Sequence, residues 1–239
     1  MLLSKTRQRL VYQSRLRIFK ALRIDKALGE ARTLELELHM GFRGQWAEHR
    51  RFQFEQIKAA GLKPADRLLE IGCGPLTLGV PVIDYLDPGC YTGVDVRPEV
   101  LNLALQEIGK NGLAAKNPRL VLSTSFGAKE LGDARFEFAW SFSVLYHLSD
   151  DLLHGLMAQM ALRLAPGGQC LANINIDVDE SRWLQFPFVR RPLTFYQAAA
   201  QQVGLVAEDM GTLQSLGFRL SAAEGANHLL RITRAPHPA

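Results

Sequence analysis

Two short stretches decide the fold: LLEIGCG at residues 68–74 and YTGVDV at residues 91–96. The first is an apolar segment that runs into two glycines, Gly72 and Gly74, and the second carries Asp95 near its end. Short apolar segments bounded by turn residues are typical of buried strands. The paired glycines let the backbone approach a ligand closely, and an acidic side chain closing the next strand can accept both hydroxyls of a ribose. The pattern therefore predicts a ligand site at the carboxyl ends of these strands.

The alternation of strand, turn and helix continues along the chain. Further strands are expected at residues 119–123, 136–141, 168–176, 205–210 and 228–234, and helices from Pro98 and over residues 150–164 and 194–203. Ser149 is the expected N-cap of the 150–164 helix. Strands alternating with helices of these lengths predict an open, doubly wound α/β sheet, mostly parallel, with helices on both faces.

The N-terminal quarter of the chain differs because it looks helical and contains no convincing strand, with one helix expected from Trp46 to Ala60. Residues 1–26 hold eight Lys and Arg against one Asp, a net +7, so in a chain of total charge +4 the other 213 residues sum to −3. We therefore predict a basic helical extension and cap over residues 1–58 and a main domain over residues 59–239. The acidic main domain argues against a basic nucleic-acid binder.

Composition excludes several classes of protein. A hydrophobic share of 47% fits a globular core and argues against overall disorder. No uncharged apolar run reaches the roughly 18 residues of a transmembrane helix, and no secretory signal is recognisable at the N-terminus. Three widely spaced cysteines suit a reducing cytosol, and the six histidines lack the spacing of a metal site. We expect a cytoplasmic protein without a bound metal.

In four blocks of sequence the chain resembles the class I S-adenosylmethionine-dependent methyltransferases. The blocks are LLEIGCG (68–74), YTGVDV (91–96), FEFAWSFSVLYHL (136–148) and LAPGGQCLANI (164–174). They occur in the order and spacing of that family, and the resemblance covers roughly residues 60–236. It implies a Rossmann-like seven-stranded sheet with an antiparallel last strand and S-adenosylmethionine as the cofactor. The blocks look most like those of bacterial enzymes of glycan, lipid or natural-product pathways.

The resemblance also implies roles for residues at the first two strand ends. Gly72, Cys73 and Gly74 would line the methionine part of the cofactor, and Glu70 would anchor or polarise that end. Asp95 would hold the ribose hydroxyls.

The resemblance implies further contacts with the adenine and with the sulfonium end of the cofactor. Val96 and Arg97 would flank the adenine, whereas Ser141 and Phe142 would lie against the cofactor below its reactive sulfonium. Residues 165–168 would form the turn into the fifth strand.

The chain departs from the family pattern at three places. Leu76 stands where the third glycine of the loop is usual, and Glu137 stands where aspartate is most frequent. The third strand lacks the acidic residue that often contacts the adenine amine, so a serine or threonine of residues 123–125, or a backbone amide, must serve; among these we name Ser125.

Methyl transfer by in-line displacement depends mainly on proximity and alignment, but a hydroxyl acceptor also needs a base for its proton. His147 follows the fourth strand and titrates near neutrality, which makes it the best candidate for that base. The alternative is that His147 only lines and packs the pocket.

Two segments are candidates for the acceptor site. Arg43 and Trp46 lie in or next to a glycine-punctuated loop before the main domain, and Trp183 lies in an insertion after the fifth strand. Tyr146 is a further candidate contact. The alternative is that these aromatic side chains pack on the sheet edge.

The sequence thus predicts methyl transfer to a small molecule or to a saccharide or glycolipid acceptor, at oxygen. Two alternatives stay open: methylation of RNA or protein, and a non-catalytic scaffold that binds S-adenosylmethionine. A body charge of −3 argues against a polyanionic substrate, and an intact set of cofactor residues argues against the scaffold.

The +7 segment leaves three alternatives of its own. It packs on the core or on a second subunit of a homodimer, docks on the anionic inner face of the membrane, or contacts nucleic acid, the option we favour least.

Overall fold

The apolar segments of the sequence form a seven-stranded sheet in a computed structural model that describes residues 29–40, 44–177, 182–183, 186–219 and 226–236. The basic segment 1–26 and the loop residue Arg43 lie outside the described residues.

Strands and helices alternate as expected. The strands are β1 (Leu68–Ile71), β2 (Tyr91–Asp95), β3 (Arg119–Leu122), β4 (Phe136–Ser141), β5 (Leu164–Asn175), β6 (Arg182–Trp183), β7 (Phe186–Pro187), β8 (Leu205–Thr212) and β9 (Asn227–Arg234). The helices are α1 (Gly29–Met40), α2 (Trp46–Ala59), α3 (Gly79–Tyr85), α4 (Pro98–Lys110), α5 (Asp150–Arg163) and α6 (Leu193–Gln201), with short 3₁₀ turns at Leu113–Lys116 and Leu145–His147.

The strand order is β3-β2-β1-β4-β5-β9-β8, and β6 pairs with β7 in a separate hairpin. Strands β1 to β5 pair in parallel, whereas the last strand, β9, lies antiparallel between β5 and β8. This confirms the predicted Rossmann-like, doubly wound sheet. At the carboxyl end of β1, Ile71 pairs with Val94 on one side and Ser141 on the other. Strand order reverses at this point, where sheets of this kind bind ligands.

Both faces of the central strands are buried. Leu69 belongs to an apolar cluster with the inner face of α5, and its neighbour Leu68 belongs to a second cluster with α2 and α3. The indole Nε1 of Trp140 in β4 donates to Oε1 of Gln53 in α2 at 3.0 Å, so this buried polar pair is satisfied. Because side chains alternate along a strand, burial of both faces explains the near-continuous apolar runs in the sequence.

Two expectations about the middle of the chain had different outcomes. Ser149 is the N-cap of α5, and its Oγ accepts the backbone N–H of Leu152. By contrast, residues 165–168 are not a turn before the fifth strand. Strand β5 already begins at Leu164, and the register with β4 shifts there: Phe136 pairs with Leu164 but Phe138 pairs with Gln169, so β5 holds three extra residues, among them the left-handed Gly167.

The described N-terminal residues belong to a separate compact unit that ends at Ala47, whereas the predicted boundary follows residue 58. Within that unit the carboxylate of Glu37 accepts the backbone N–H groups of Gly44, Gln45 and Trp46 at 2.8–2.9 Å. A carboxylate there accepts from unpaired N–H donors at the start of α2, and its negative charge interacts favourably with the positive end of the helix dipole. Across the described part of the chain, no helix has both the length and the apolarity to cross a membrane.

Candidate functional site

The glycine loop after β1 presents backbone to the carboxyl edge of the sheet. Gly72 and Gly74 have positive φ of 71° and 54°, a region that glycine enters without steric cost. A Cβ on Gly72 would lie 2.4 Å from Cγ2 of Val144 in the segment after β4. The N–H of Gly72 donates to the carbonyl of Val94 at 2.8 Å. The loop is therefore held against β2 and against the β4 end at a distance that only glycine permits.

Leu76 replaces the usual third glycine, and it keeps the backbone conformation that glycine favours. Its φ is +63°, which costs a residue with a Cβ about 1–2 kcal/mol. The Leu76 side chain is fully buried and occupies the space left by Gly79, where an added Cβ would lie 2.5 Å from Leu76 Cδ2. The Arg50 guanidinium donates to the carbonyls of Leu76 and Thr77. Burial and these bonds offset the strain, so the loop survives without the third glycine.

Beneath this loop, Glu70 of β1 forms a buried pair with Tyr91 of β2. The Tyr91 hydroxyl donates to Glu70 Oε2 at 2.5 Å. Burial, opposed by this bond, raises the pKa of Glu70 to about 8, and burial raises the pKa of Tyr91 above its ordinary value. Added Cβ atoms on Gly79 and Gly93 would lie 2.8 and 2.9 Å from the Tyr91 hydroxyl. Glu70 is therefore enclosed below the loop, and its raised pKa favours the protonated form near neutral pH.

Cys73 belongs to the same packing. Its side chain is buried, and a Cβ on Gly93 would lie 2.9 Å from its Sγ. Burial raises the pKa of the Cys73 thiol well above its usual range, so it stays protonated. The thiol fills the tight space between loop and strand and has no nucleophilic character.

Asp95 closes β2 directly beside the glycine loop. Its Oδ2 accepts the N–H of Gly74 at 3.0 Å, and its Oδ1 accepts the N–H of Arg97 at 2.9 Å and the Arg97 Nε at 3.5 Å. A carboxylate offers about four acceptor positions, so this one keeps capacity for a ligand hydroxyl. Val96 is 38% exposed at the same edge.

These residues fit S-adenosylmethionine. A glycine loop whose one side chain, that of Cys73, is buried away from the surface suits the methionine part of that molecule, and a fixed carboxylate at the end of the next strand suits the ribose. The fit rests on the backbone cradle and on Asp95.

At the end of β3, the serine that we named from sequence, Ser125, is not the serine that bonds to β2. Ser125 is exposed, and its N–H donates to the Oγ of Ser123 at 3.2 Å. Ser123 is buried, accepts the N–H of Gly127 as well, and donates its own N–H to the carbonyl of Asp95. Ser123 thus shapes the loop beside β2, and Ser125 is the serine that reaches the surface.

At the end of β4 the side chains turn into the core. Ser141 is fully buried, and its hydroxyl has no hydrogen-bond partner among the described residues. Phe142 stacks on Trp140 with ring centroids 6.0 Å apart. Ser143 has φ +58° and donates its N–H to the buried Oδ1 of Asn173 in β5. No local pattern indicates the Asn173 contact, which holds the turn that leads to His147.

His147 lies at the end of the 3₁₀ turn after β4, under the β6–β7 hairpin. Its Nδ1 lies 2.9 Å from the carbonyl oxygen of Pro187. Because a carbonyl can only accept, Nδ1 carries the proton of the neutral ring and the lone pair is on Nε2. Burial lowers the pKa of His147, the bond to Pro187 opposes that shift, and the charge of Arg97 lowers the pKa further.

Aromatic rings surround His147. Its ring centroid lies 4.7 Å from Tyr146, 4.5 Å from Phe188 and 6.2 Å from Phe186. Tyr146 and Phe188 are stacked, and the Tyr146 carbonyl accepts the N–H of Val189 at 2.8 Å. The hairpin is therefore bonded to the turn that carries His147.

Arg191 anchors the far end of this insertion. Its guanidinium donates to the carbonyl of Leu148 at 2.7 Å and to the Asp150 carboxylate at 2.6 and 2.9 Å. Two nitrogens of this buried guanidinium are bonded within the protein, whereas its Nη1 is buried without a hydrogen-bond partner among the described residues.

The structure brings together most of the residues that we named from sequence. Glu70, the glycine loop and Asp95 meet at one strand edge, and His147 and Tyr146 follow β4. Trp46 lies in the N-terminal unit, and the Trp183 side chain is not among those described. Sequence reasoning missed Tyr91, because a single tyrosine in a strand does not indicate which acidic side chain its hydroxyl will contact.

Comparison with known proteins agrees with the S-adenosylmethionine site described above. Residues 69–170 match the family model described as "Methyltransferase domain". An S-adenosylmethionine-dependent methyltransferase from Clostridium acetobutylicum superposes with a TM-score of 0.63 at 13% identity, covering 84% of this chain and 96% of that one. The CcbJ methyltransferase from Streptomyces caelestis gives the same score and coverages at 15% identity. Magnesium protoporphyrin IX methyltransferase from Synechocystis, solved with bound S-adenosylmethionine, gives 0.60 at 13% identity, covering 79% and 81%.

Proposed function

We propose that this chain, an S-adenosylmethionine-dependent methyltransferase with the class I fold, methylates an oxygen of a small-molecule acceptor and uses His147 as its general base. The observation that carries the proposal is the bond between His147 Nδ1 and the Pro187 carbonyl, inside an enclosure of aromatic rings.

The residues that we propose for cofactor binding would contact different parts of the molecule. The backbone of Gly72 and Gly74 would receive the methionine part, and the Asp95 carboxylate would accept hydroxyls of the ribose. Val96, beside Asp95, would lie near the adenine. Glu70 would support the loop from below through Tyr91, without direct contact to a charged group. The bound cofactor supplies an electrophilic methyl group on a positively charged sulfur.

His147 supplies the base chemistry. The Pro187 carbonyl fixes the ring orientation and directs the lone pair of the neutral ring to Nε2. Burial lowers the pKa of His147, so the ring is neutral near pH 7 and able to take a proton. Nε2 would take the proton of the acceptor hydroxyl, and the bound cofactor would supply the methyl group and keep the electron pair of the broken sulfur–carbon bond on its sulfur. Such base catalysis contributes roughly 10²–10⁴-fold to a rate.

The wall around His147 supports a small acceptor over a polymer. Tyr146, Phe186 and Phe188 supply aromatic rings beside His147, and aromatic rings pack well on planar molecules or on the apolar face of a sugar. A groove for a polyanion would need basic side chains along an open path. The Synechocystis protein acts on a porphyrin, and that planar acceptor is consistent with an aromatic wall here. A saccharide or glycolipid acceptor is a narrower form of the same proposal.

Contact with the inner face of the membrane, a homodimer and a cytoplasmic location stay predictions. The first two depend on the +7 segment, which lies outside the described residues, and the third rests on the cysteine pattern.

The test is a radiolabelled methyl-transfer assay on fractionated metabolites, comparing the native chain with His147→Asn. Asparagine retains an N–H donor for the Pro187 carbonyl but offers no base. We expect turnover to fall roughly 10²–10⁴-fold while the affinity for S-adenosylhomocysteine, measured by calorimetry, stays unchanged. His154→Asn, on helix α5, is the matched control.

Near-normal turnover of His147→Asn would assign His147 to the pocket wall. Labelling confined to the RNA or protein fraction would refute the small acceptor.

A further inference from the structure

Arg97 lies between the cofactor side and the acceptor side of the site. It is the second residue after β2, and only 7% of its surface is exposed. Its backbone N–H and its Nε both point to Asp95 Oδ1, at 2.9 and 3.5 Å. A guanidinium that is removed from water in this way needs a nearby carboxylate, and Asp95 supplies one.

The same guanidinium reaches the acceptor side. Its central carbon lies 5.8 Å from the ring centroid of Phe186, in the hairpin that covers His147. This distance is within the range of cation–π attraction, which strengthens when the cation is desolvated. The Phe186 ring in turn lies 6.2 Å from the His147 ring, and the next hairpin residue, Pro187, accepts from His147 Nδ1.

We propose that Arg97 is a positioning residue that joins the two halves of the site, holding the Asp95 carboxylate on one side and the Phe186 ring of the acceptor hairpin on the other. The proposal rests on the proposed function, because it takes the ribose to bind at Asp95 and the acceptor to bind beside His147. Cofactor binding then changes the surroundings of His147 through Arg97, and the coupling acts in both directions.

The contacts of Arg97 explain why arginine suits this position. Its planar group can donate to a carboxylate at its edge while an aromatic ring contacts its face, whereas the compact lysine ammonium lacks that planar face. Arg97 is also the charged group that acts on His147 among the described residues. Described neighbours of the His147 ring include the Pro187 carbonyl and the rings of Tyr146, Phe186 and Phe188.

The experiment follows His147 itself and needs no acceptor. Histidine-labelled protein is titrated by NMR with and without S-adenosylhomocysteine, and the His147 signal is assigned by its loss in His147→Asn. The native chain is compared with Arg97→Gln and Arg97→Lys, with Arg119→Gln at the opposite strand ends as the matched control. In Arg97→Gln we expect the pKa of His147 to rise by about 0.5 or more, whereas Arg97→Lys retains most of the native value.

We also expect S-adenosylhomocysteine to move the His147 signal in the native chain and in the control, but much less in Arg97→Gln. If Arg97→Gln does not fold, Phe186→Leu removes the ring contact alone and should reduce the same response.

A native His147 titration and a native ligand response in a folded Arg97→Gln variant would overturn the coupling. This outcome is separate from failure of the proposed function, which would appear as normal turnover in His147→Asn or as absence of S-adenosylhomocysteine binding by the native chain.

Discussion

Replacing Glu70 by glutamine tests the buried pair beneath the glycine loop. Glutamine has nearly the same shape, and its amide oxygen can still accept from the Tyr91 hydroxyl, but it has no proton to lose. Burial raises the pKa of Glu70 from 4.5 to about 8, so the folded protein keeps a proton there that the unfolded chain releases. Stability must therefore fall as pH rises from about 4.5 to about 8.

The magnitude follows from this difference in protonation. Each pKa unit corresponds to about 1.4 kcal/mol, so Glu70 should remove roughly 3–4 kcal/mol of unfolding free energy between about pH 5 and pH 8. Glu70→Gln has no proton to lose at this position. The unfolding free energy of the variant, relative to that of the native chain, should therefore rise by roughly 3–4 kcal/mol between about pH 5 and pH 8. Since folded proteins are stable by only about 5–15 kcal/mol, the effect is easily measured.

The assay is urea unfolding followed by tryptophan fluorescence at pH 5, 6, 7 and 8. Tyr91→Phe is the companion variant: it removes a bond that lowers the pKa of Glu70, so the fall should extend to higher pH. Glu137→Gln, which removes a surface acid paired with Arg67, should not produce a gain that grows with pH. A difference between native and Glu70→Gln that stays constant from pH 5 to 8 would refute the argument, because it would mean that Glu70 ionises normally in the folded state.

Two further predictions concern the same strand ends. Asp95→Asn removes the negative charge proposed to hold the ribose and should weaken S-adenosylhomocysteine binding in calorimetry by roughly 10–100-fold, with exposed Asp84→Asn as the control; equal affinities would remove Asp95 from the cofactor site. Gly79→Ala places a Cβ 2.5 Å from Leu76 and 2.8 Å from the Tyr91 hydroxyl, so it should lower the unfolding free energy by about 1–3 kcal/mol. Gly109→Ala, in open space on helix α4, should be neutral or stabilising, and the same result for Gly79→Ala would contradict the packing described above.

The alternation of strands and helices, and the residues that close the strands, were readable from local sequence. Short apolar segments identified β1, β2 and β4 because strands buried on both faces contain few polar residues. Proline and serine marked the starts of α4 and α5 because they suit the first turn of a helix. The register shift at the start of β5 was not predicted, since a Pro-Gly-Gly sequence also fits a turn before the strand and only the pairing with β4 shows that these residues belong to β5.

At the site, local sequence identified which residues close the strands but not how they pair. The role of Glu70 toward the methionine end of the cofactor stays a prediction, but its burial against Tyr91 and the raised pKa that follows were not readable from the sequence. Likewise, Leu76 looked like a departure from the glycine pattern, but its backbone adopts the same left-handed conformation. Both outcomes depend on neighbours distant in sequence, which no local pattern specifies.

The sequence by itself determined the α/β class, the order of the elements and the chemistry available at the strand ends, because periodicity, turn residues and side-chain type are local properties. Only the tertiary structure decided which of those groups are buried, which are paired and which tautomer His147 adopts. The carbonyl of Pro187, 40 residues further along the chain, orients the His147 ring, and Arg97 comes from another strand end to act on it. Protonation and orientation depend on burial and on hydrogen-bond partners, and the fold brings these together from distant parts of the chain.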